Sequence, residues 1–310
     1  MSRDPGGATR EVSSGDEPMK IDEGFIQIDG HKVWYRSVGE GGIPLLCLHG
    51  GPGAGHDYLE SLEALAALRR VIFYDQLGCG RSDIPDDPSL WRIERFVAEV
   101  DGVREALRLG PVHLLGQSWG GMLSIEYMLS RPRGIVSLVL ASTSASISQF
   151  VAEAETLKAQ LPPEMYATMQ RCEALGDYAD TNYKAAVNEF LRRHLCRLDP
   201  WPDAILRTGK NIQGNPVYLT MNGPNEFIVI GNLRDWDRRD RLGEIVVPTL
   251  VTVGAYDELP LPLAETIQRG ILGAELRIFE HSSHVAHLEE AAAFMAVVAD
   301  FHARVEATLT

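Results

Sequence analysis

Gly116-Gln117-Ser118-Trp119-Gly120 stands between an apolar run, Val112 to Leu115, and a helical pattern that opens near Gly121. A serine flanked by glycines at a strand-to-helix junction can project its hydroxyl from a sharp, strained turn where neighbouring chains leave no room for side chains. A chance G-x-S-x-G has odds of roughly one in seven in such a chain, so its flanking elements carry the weight. A serine hydroxyl is a poor nucleophile until a base takes its proton, and that base needs an acid to orient it. The expected order is serine, then acid, then histidine. Asp257 follows the apolar run Thr249 to Val253 through Gly254-Ala255-Tyr256, which places it on a loop at a strand's carboxyl end. Glu258 is the rival acid, and the position nearer the strand end is preferred.

Four histidines follow Asp257: His281, His284, His287 and His302. Spacing alone does not choose among them. His302 lies deep in a terminal helical pattern and reads as a surface or packing residue, and His287 should already be helical. His284 falls in a strand-to-helix loop from which a base could reach Ser118. The string HSSHVAH also raises a metal site, but its spacing turns about 600° around a helix and no carboxylate–zinc motif accompanies it, so no metal is expected. Donors for an oxyanion are expected from His49-Gly50-Gly51-Pro52-Gly53, where missing side chains let backbone approach; the N–H groups of Gly51 and Trp119 form the expected pair. His49 precedes the nucleophile and reads as a structural histidine.

Positioning these groups requires a layered scaffold. Phe25 to Asp29 and Lys32 to Val38 read as a hairpin turning at Asp29-Gly30. Apolar runs Ile43 to Leu48, Val71 to Tyr74, Val112 to Leu115 and Ile135 to Leu140 then alternate with helical patterns at Tyr58 to Leu68, Ile93 to Leu107 and Met122 to Leu129. Short continuous apolar runs alternating with helices imply a mostly parallel sheet covered on both faces. From Ser146 to about Arg241 the pattern becomes polar helical segments broken by prolines, which reads as an inserted helical cap. Strand signals resume at Pro248 to Val253 and Glu275 to Phe279, with a helix between them and a long final helix from about Val285 to Val305. The expected division is therefore a tail at 1–20, a core of 21–145 plus 242–310, and a cap at 146–241.

Composition removes other classes. The 310 residues carry 29 Lys plus Arg against 43 Asp plus Glu, a net charge of −14. That balance argues against nucleic acid and anionic membrane surfaces as partners. No apolar stretch reaches the ~18 residues of a membrane span, and the first twenty residues lack a signal-peptide pattern. Cys47, Cys79, Cys172 and Cys196 show no CxxC spacing, the expectation for reduced thiols in a cytoplasmic protein. No P-loop or GxGxxG is present, since Gly78 and Gly80 are followed by Asp83, so no nucleotide cofactor is expected.

Taken together, HGGPGAGHDYL, YDQLGCGRSD, GQSWGG, MNGPNEF, DWD, GAYDE and SSHVAHLE resemble the proline iminopeptidase branch of the α/β-hydrolases, from about Gly24 to the C-terminus. The resemblance implies the α/β-hydrolase fold with a helical cap, and a Ser118, Asp257, His284 triad that needs no cofactor. It implies cleavage of the amide or peptide bond after an N-terminal residue with a free amine. It also implies that Glu226 and Glu258 hold that amine, with Tyr218 near the substrate. Leu77 and Cys79 depart from the arginine and serine common in the DQRGSGRS form. An amino-acid amidase or esterase acting on small amides is the alternative with the same machinery, and a non-catalytic ligand receptor the remote one.

Overall fold

The computed structural model describes residues 19–309. The expected tail at 1–20 lies outside the described residues except for Met19 and Lys20. The hairpin is formed by β1 (Ile21–Ile28) and β2 (His31–Val38). Asp29 and Gly30 both take positive φ, 49° and 83°, the backbone of a tight two-residue turn whose twist matches the flanking strands. Then follow β3 (Leu45–Leu48), a 3₁₀ helix (Asp57–Ala67), β4 (Val71–Tyr74), α1 (Ile93–Ala106), β5 (Val112–Gln117), α2 (Trp119–Leu129) and β6 (Ile135–Ala141). The expected α-helix at Tyr58 to Leu68 is thus a 3₁₀ helix. Leu59, Leu62 and Leu65 are its buried residues at a spacing of three, and three residues per turn puts them on one stripe.

Five α-helices and a 3₁₀ helix (Arg239–Glu244) come between β6 and the next strand; the α-helices are α3 (Ile147–Lys158), α4 (Pro163–Leu175), α5 (Thr181–His194), α6 (Asp203–Ile212) and α7 (Pro216–Met221). After them come β7 (Thr249–Gly254), α8 (Leu261–Gly270), β8 (Glu275–Phe279), α9 (Ala286–Glu289) and α10 (Ala291–Glu306). The single long terminal helix expected from the sequence is therefore broken at Glu290, whose φ of −122° and ψ of 48° leave the helical region. Its carboxylate is drawn away to accept from the His281 N–H at 3.0 Å and the Ser282 hydroxyl at 2.6 Å.

The eight strands form one sheet in the order β1-β2-β4-β3-β5-β6-β7-β8. β1 and β2 are antiparallel to their neighbours, and β4 through β8 run parallel. Successive residues of the central strands feed opposite layers. Leu46, Leu48, Ile72 and Tyr74 pack with α1 and α2, while Leu45, Cys47, Val71 and Phe73 pack with the 3₁₀ helix and α10. A sheet buried on both faces explains why its strands read as unbroken apolar runs. Strand order reverses direction between β3 and β5, so the loops leaving their carboxyl ends diverge to opposite sides and open a crevice between them. Both loops carry candidate site residues. Among the described residues, no helix is long and apolar enough to cross a membrane.

The helical insert is tied to this scaffold. Arg207 on α6 grips Glu60 of the 3₁₀ helix through two bonds of 2.9 and 2.6 Å and also pairs with Asp57. Asn211 donates to the Ala54 carbonyl and Asn215 to that of Gly78.

Candidate active site

Ser118 lies between β5 and α2 with φ 56° and ψ −124°, a conformation L-residues avoid at a cost of about 1–3 kcal/mol. The surroundings enforce it. Its N–H donates to the Ala141 carbonyl at 3.0 Å, and its own carbonyl accepts from the Thr143 hydroxyl at 2.7 Å. A Cβ on Gly116 would meet the Gly120 carbonyl oxygen at 2.2 Å, and one on Gly120 the Leu48 carbonyl oxygen at 2.0 Å. Both glycines of the elbow are therefore required by close packing between β5, α2 and β3. The strained turn raises the hydroxyl above the sheet at the start of α2, where the helix's first N–H groups have no intrahelical acceptors.

The loop after β3 crosses directly over this turn. A Cβ on Gly50 would lie 3.0 Å from that of Ser118, and Gly51 adopts φ 111° and lines the same cavities as Ser118. Hydrogen bonds brace the loop: Tyr58 Oη accepts from the Gly50 N–H at 2.7 Å and donates to Gln117 Oε1. His49 is fully buried, with Nε2 accepting from the Gln76 N–H, while Gln76 in turn accepts from the Trp119 indole. Burial pulls the His49 imidazole down to about 4, the setting of a neutral structural residue.

Asp257 and His284 meet across the ends of β7 and β8. The His284 Nδ1–H donates to Asp257 Oδ1 at 2.8 Å, and the Leu259 N–H donates to the same oxygen. Of the two adjacent acids, Asp257 takes the bond to Nδ1, and Glu258 faces the opposite ring nitrogen, its Oε1 3.5 Å from Nε2. No hydrogen bond joins Ser118 Oγ to the imidazole among the described residues, although both line one cavity. Such contacts often tighten only when substrate is bound. Burial opposes charge on His284, but Asp257, Glu258 and Glu226 outweigh it and push the imidazole up to about 9.

Glu258 is 1% exposed and both of its carboxylate oxygens lack a hydrogen-bond donor. It is no helix cap, since α8 begins only at Leu261. Burial drives its carboxyl well above the usual range, against the pull of His284. Glu226 is part-buried and accepts a 2.9 Å bond from the Tyr218 hydroxyl; burial raises it as well. Glu226, Glu258, Tyr218, Ser118 and His284 all line one cavity of about 410 Å³.

The remaining histidines serve elsewhere. His281 is exposed, and His287 Nε2 bonds to the Tyr58 carbonyl at 3.0 Å. His302 is fully buried and stacks on His113 at 4.0 Å, so it is a packing residue and not a surface one.

Two contributors were missed in the sequence. The His194 carbonyl at the end of α5 accepts the N–H of both Glu258 and His284, each at 3.1 Å, so the insert pins the Asp257 and His284 loops together. Gln117 Nε2 donates to the His284 carbonyl at 3.1 Å, linking the elbow to the base loop; its place inside the elbow motif was the one clue.

The chain resembles known proteins along nearly its whole length. Residues 43–291 match the model of the alpha/beta hydrolase fold. The proline iminopeptidase of Lactobacillus helveticus is 41% identical over 290 residues, covering 91% of this chain and 98% of that protein. That of Saccharolobus solfataricus is 39% identical, covering 91% and 93%. The crystal structure of the Mycobacterium smegmatis proline iminopeptidase superposes with a TM-score of 0.88 at 37% identity, covering 93% of this chain and 100% of the other. The strained serine elbow, the glycine-rich loop over it and this likeness lead to one conclusion: the chain belongs to the α/β-hydrolases, in the proline iminopeptidase family.

Proposed function

We propose that this hydrolase removes an N-terminal residue bearing a free amine from a small peptide or amino-acid amide. Ser118 Oγ attacks the carbonyl carbon as His284 Nε2 takes its proton; Asp257 holds the ring so that Nε2 faces the hydroxyl. The N–H groups of Gly51 and Trp119 hold the oxyanion, each contributing ~3 kcal/mol to the transition state. His284 then hands the proton to the leaving nitrogen. Water, activated by the same imidazole, releases the residue from the acyl-enzyme. Glu226 and Glu258 receive the substrate ammonium, and Tyr218 fixes the Glu226 carboxylate.

The observation that carries this reading is Glu258, a buried carboxylate without a donor on either oxygen, beside the nucleophile. A buried acid with no hydrogen-bond donor, facing only the His284 ring at 3.5 Å, is costly unless it stays protonated or a further cation arrives. A substrate ammonium supplies that cation and places the bond behind it within reach of Ser118. The four buried, unpaired cysteines favour a reducing, cytoplasmic setting.

The mechanism is tested by labelling with a fluorophosphonate probe and mass analysis. A single adduct on Ser118, lost in Ser118→Ala, is expected. A folded protein that takes no Ser118-dependent label would instead favour a ligand receptor.

A further inference from the structure

The cavity that reaches Ser118 is strongly asymmetric. On one side lies a pocket of only about 20 Å³, closed by side chains that include Trp119, Met122, Phe150 and Leu259 and edged by Glu226. On the other lies the 410 Å³ chamber, within the range of pockets that hold drug-sized ligands, ~300–1,000 Å³. If the amine is held between Glu226 and Glu258, which both line the chamber with Ser118, the first residue occupies that part of it, and the apolar remainder is left for the departing group.

The chamber's lining is apolar. Val187, Leu191 and Leu195 recur every four residues along α5 and its end, forming one stripe, and Trp201, Ile205 and Ile212 face it from the α6 side. Among the described residues that line it there is no lysine or arginine; its ionisable members are Glu226, Glu258, Tyr58, Tyr218 and His284. A leaving group carrying a free carboxylate next to the scissile bond would be buried without a counter-ion and near two acids, which is unfavourable on both counts. Beyond α6 the chamber opens past Gln213, Gly214 and the half-exposed Leu219, so a long group can extend outward.

Resting on the free-amine reading above, we propose that this chamber is a leaving-group subsite for large, uncharged, apolar amines. The preferred substrates are aminoacyl amides, or peptides whose second residue is bulky and apolar and whose carboxylate is blocked or distant. The bond broken is the amide between the first residue's carbonyl and that amine. The amine leaves with the proton from His284, and the residue leaves with water's hydroxyl.

The experiment is a series with one first residue held fixed: the methyl-, butyl- and hexylamides of proline, together with prolyl-leucine and prolyl-leucinamide. Each buried methylene is worth up to about fourfold, so kcat/KM should rise at least tenfold from methyl- to hexylamide. Prolyl-leucinamide should exceed prolyl-leucine by at least tenfold. Leu191→Trp, which adds bulk to a partly buried position on the stripe, should flatten the chain-length dependence. The wild-type series stands on its own if that variant does not fold. A flat or falling series overturns the subsite; if the free amides still turn over and their N-acetyl forms do not, the free-amine reading survives that failure. Absence of turnover with every free-amine amide overturns that reading, and the subsite falls with it.

Discussion

His284 lies within reach of three carboxylates in a buried site, and its proton affinity follows from them. In the free enzyme the imidazole is held up to about 9, so below that pH it carries a proton and is not available for the base role proposed for it. The acid limb of kcat/KM against pH should therefore lie above the ordinary histidine value of about 6.5. Glu258→Gln removes the ionisable group 3.5 Å from Nε2 and should move that limb to lower pH, as read from a pH–rate profile. An unchanged limb would mean that Glu258 does not share its proton with the imidazole. An arriving ammonium favours ionised carboxylates and disfavours imidazolium, so binding itself prepares the base. Glu226→Gln should raise KM for free-amine substrates more than it lowers kcat, since the part proposed for it is to hold the ammonium.

At the level of elements, the loops carrying Asp257 and His284, the proposed acid and base, are held by backbone contact. A Cβ on Gly254, the last residue of β7, would lie 2.1 Å from the Ser283 carbonyl oxygen and 2.5 Å from that of Ser282. Gly254→Ala must push the base loop away from the acid loop. Displacement by about 1 Å can cost on the order of a hundredfold in rate, so kcat should fall by about that factor and the thermal midpoint by several degrees. Retained kcat would show that the loops tolerate separation. The elbow was legible in the sequence because a strained turn demands glycine at Gly116 and Gly120, a chemical signature one can read. The choice of His284 among HSSHVAH was less so, since three histidines share one short string and only the ends of β8 and α9 distinguish them. The carbonyl of His194 was not legible at all: any residue there offers the same acceptor. The break at Glu290 was hidden in a run of good helix formers, because the bonds that draw its carboxylate away come from a loop nine residues earlier.

Over the whole molecule, buried neutral histidines make stability depend on pH. Burial lowers His49 and His287 to about 4 and His302 to about 2. In the unfolded chain each binds a proton near pH 6.5, so their contribution is complete above that value. It is lost as pH falls towards the folded values, because the unfolded state gains protons first. Between pH 7 and 5 each should cost roughly 2 kcal/mol, and the thermal midpoint should drop by on the order of ten degrees. His302 has no hydrogen-bond partner on either ring nitrogen and stacks on His113. His302→Phe should therefore keep neutral-pH stability and reduce the acid loss, measured by thermal scans at both pH values. A midpoint that does not change between pH 7 and 5 would show that these groups titrate normally. The fold class was readable because strands buried on both faces leave unbroken apolar runs, and helices between them leave amphipathic ones. The most direct measurement on this enzyme compares kcat/KM for prolyl arylamide with that for its N-acetyl form, with Ser118→Ala as the blank. The predicted result is a loss of at least about a hundredfold on acetylation, since the buried carboxylates then meet no cation. Equal rates for the two would contradict the ammonium-holding site.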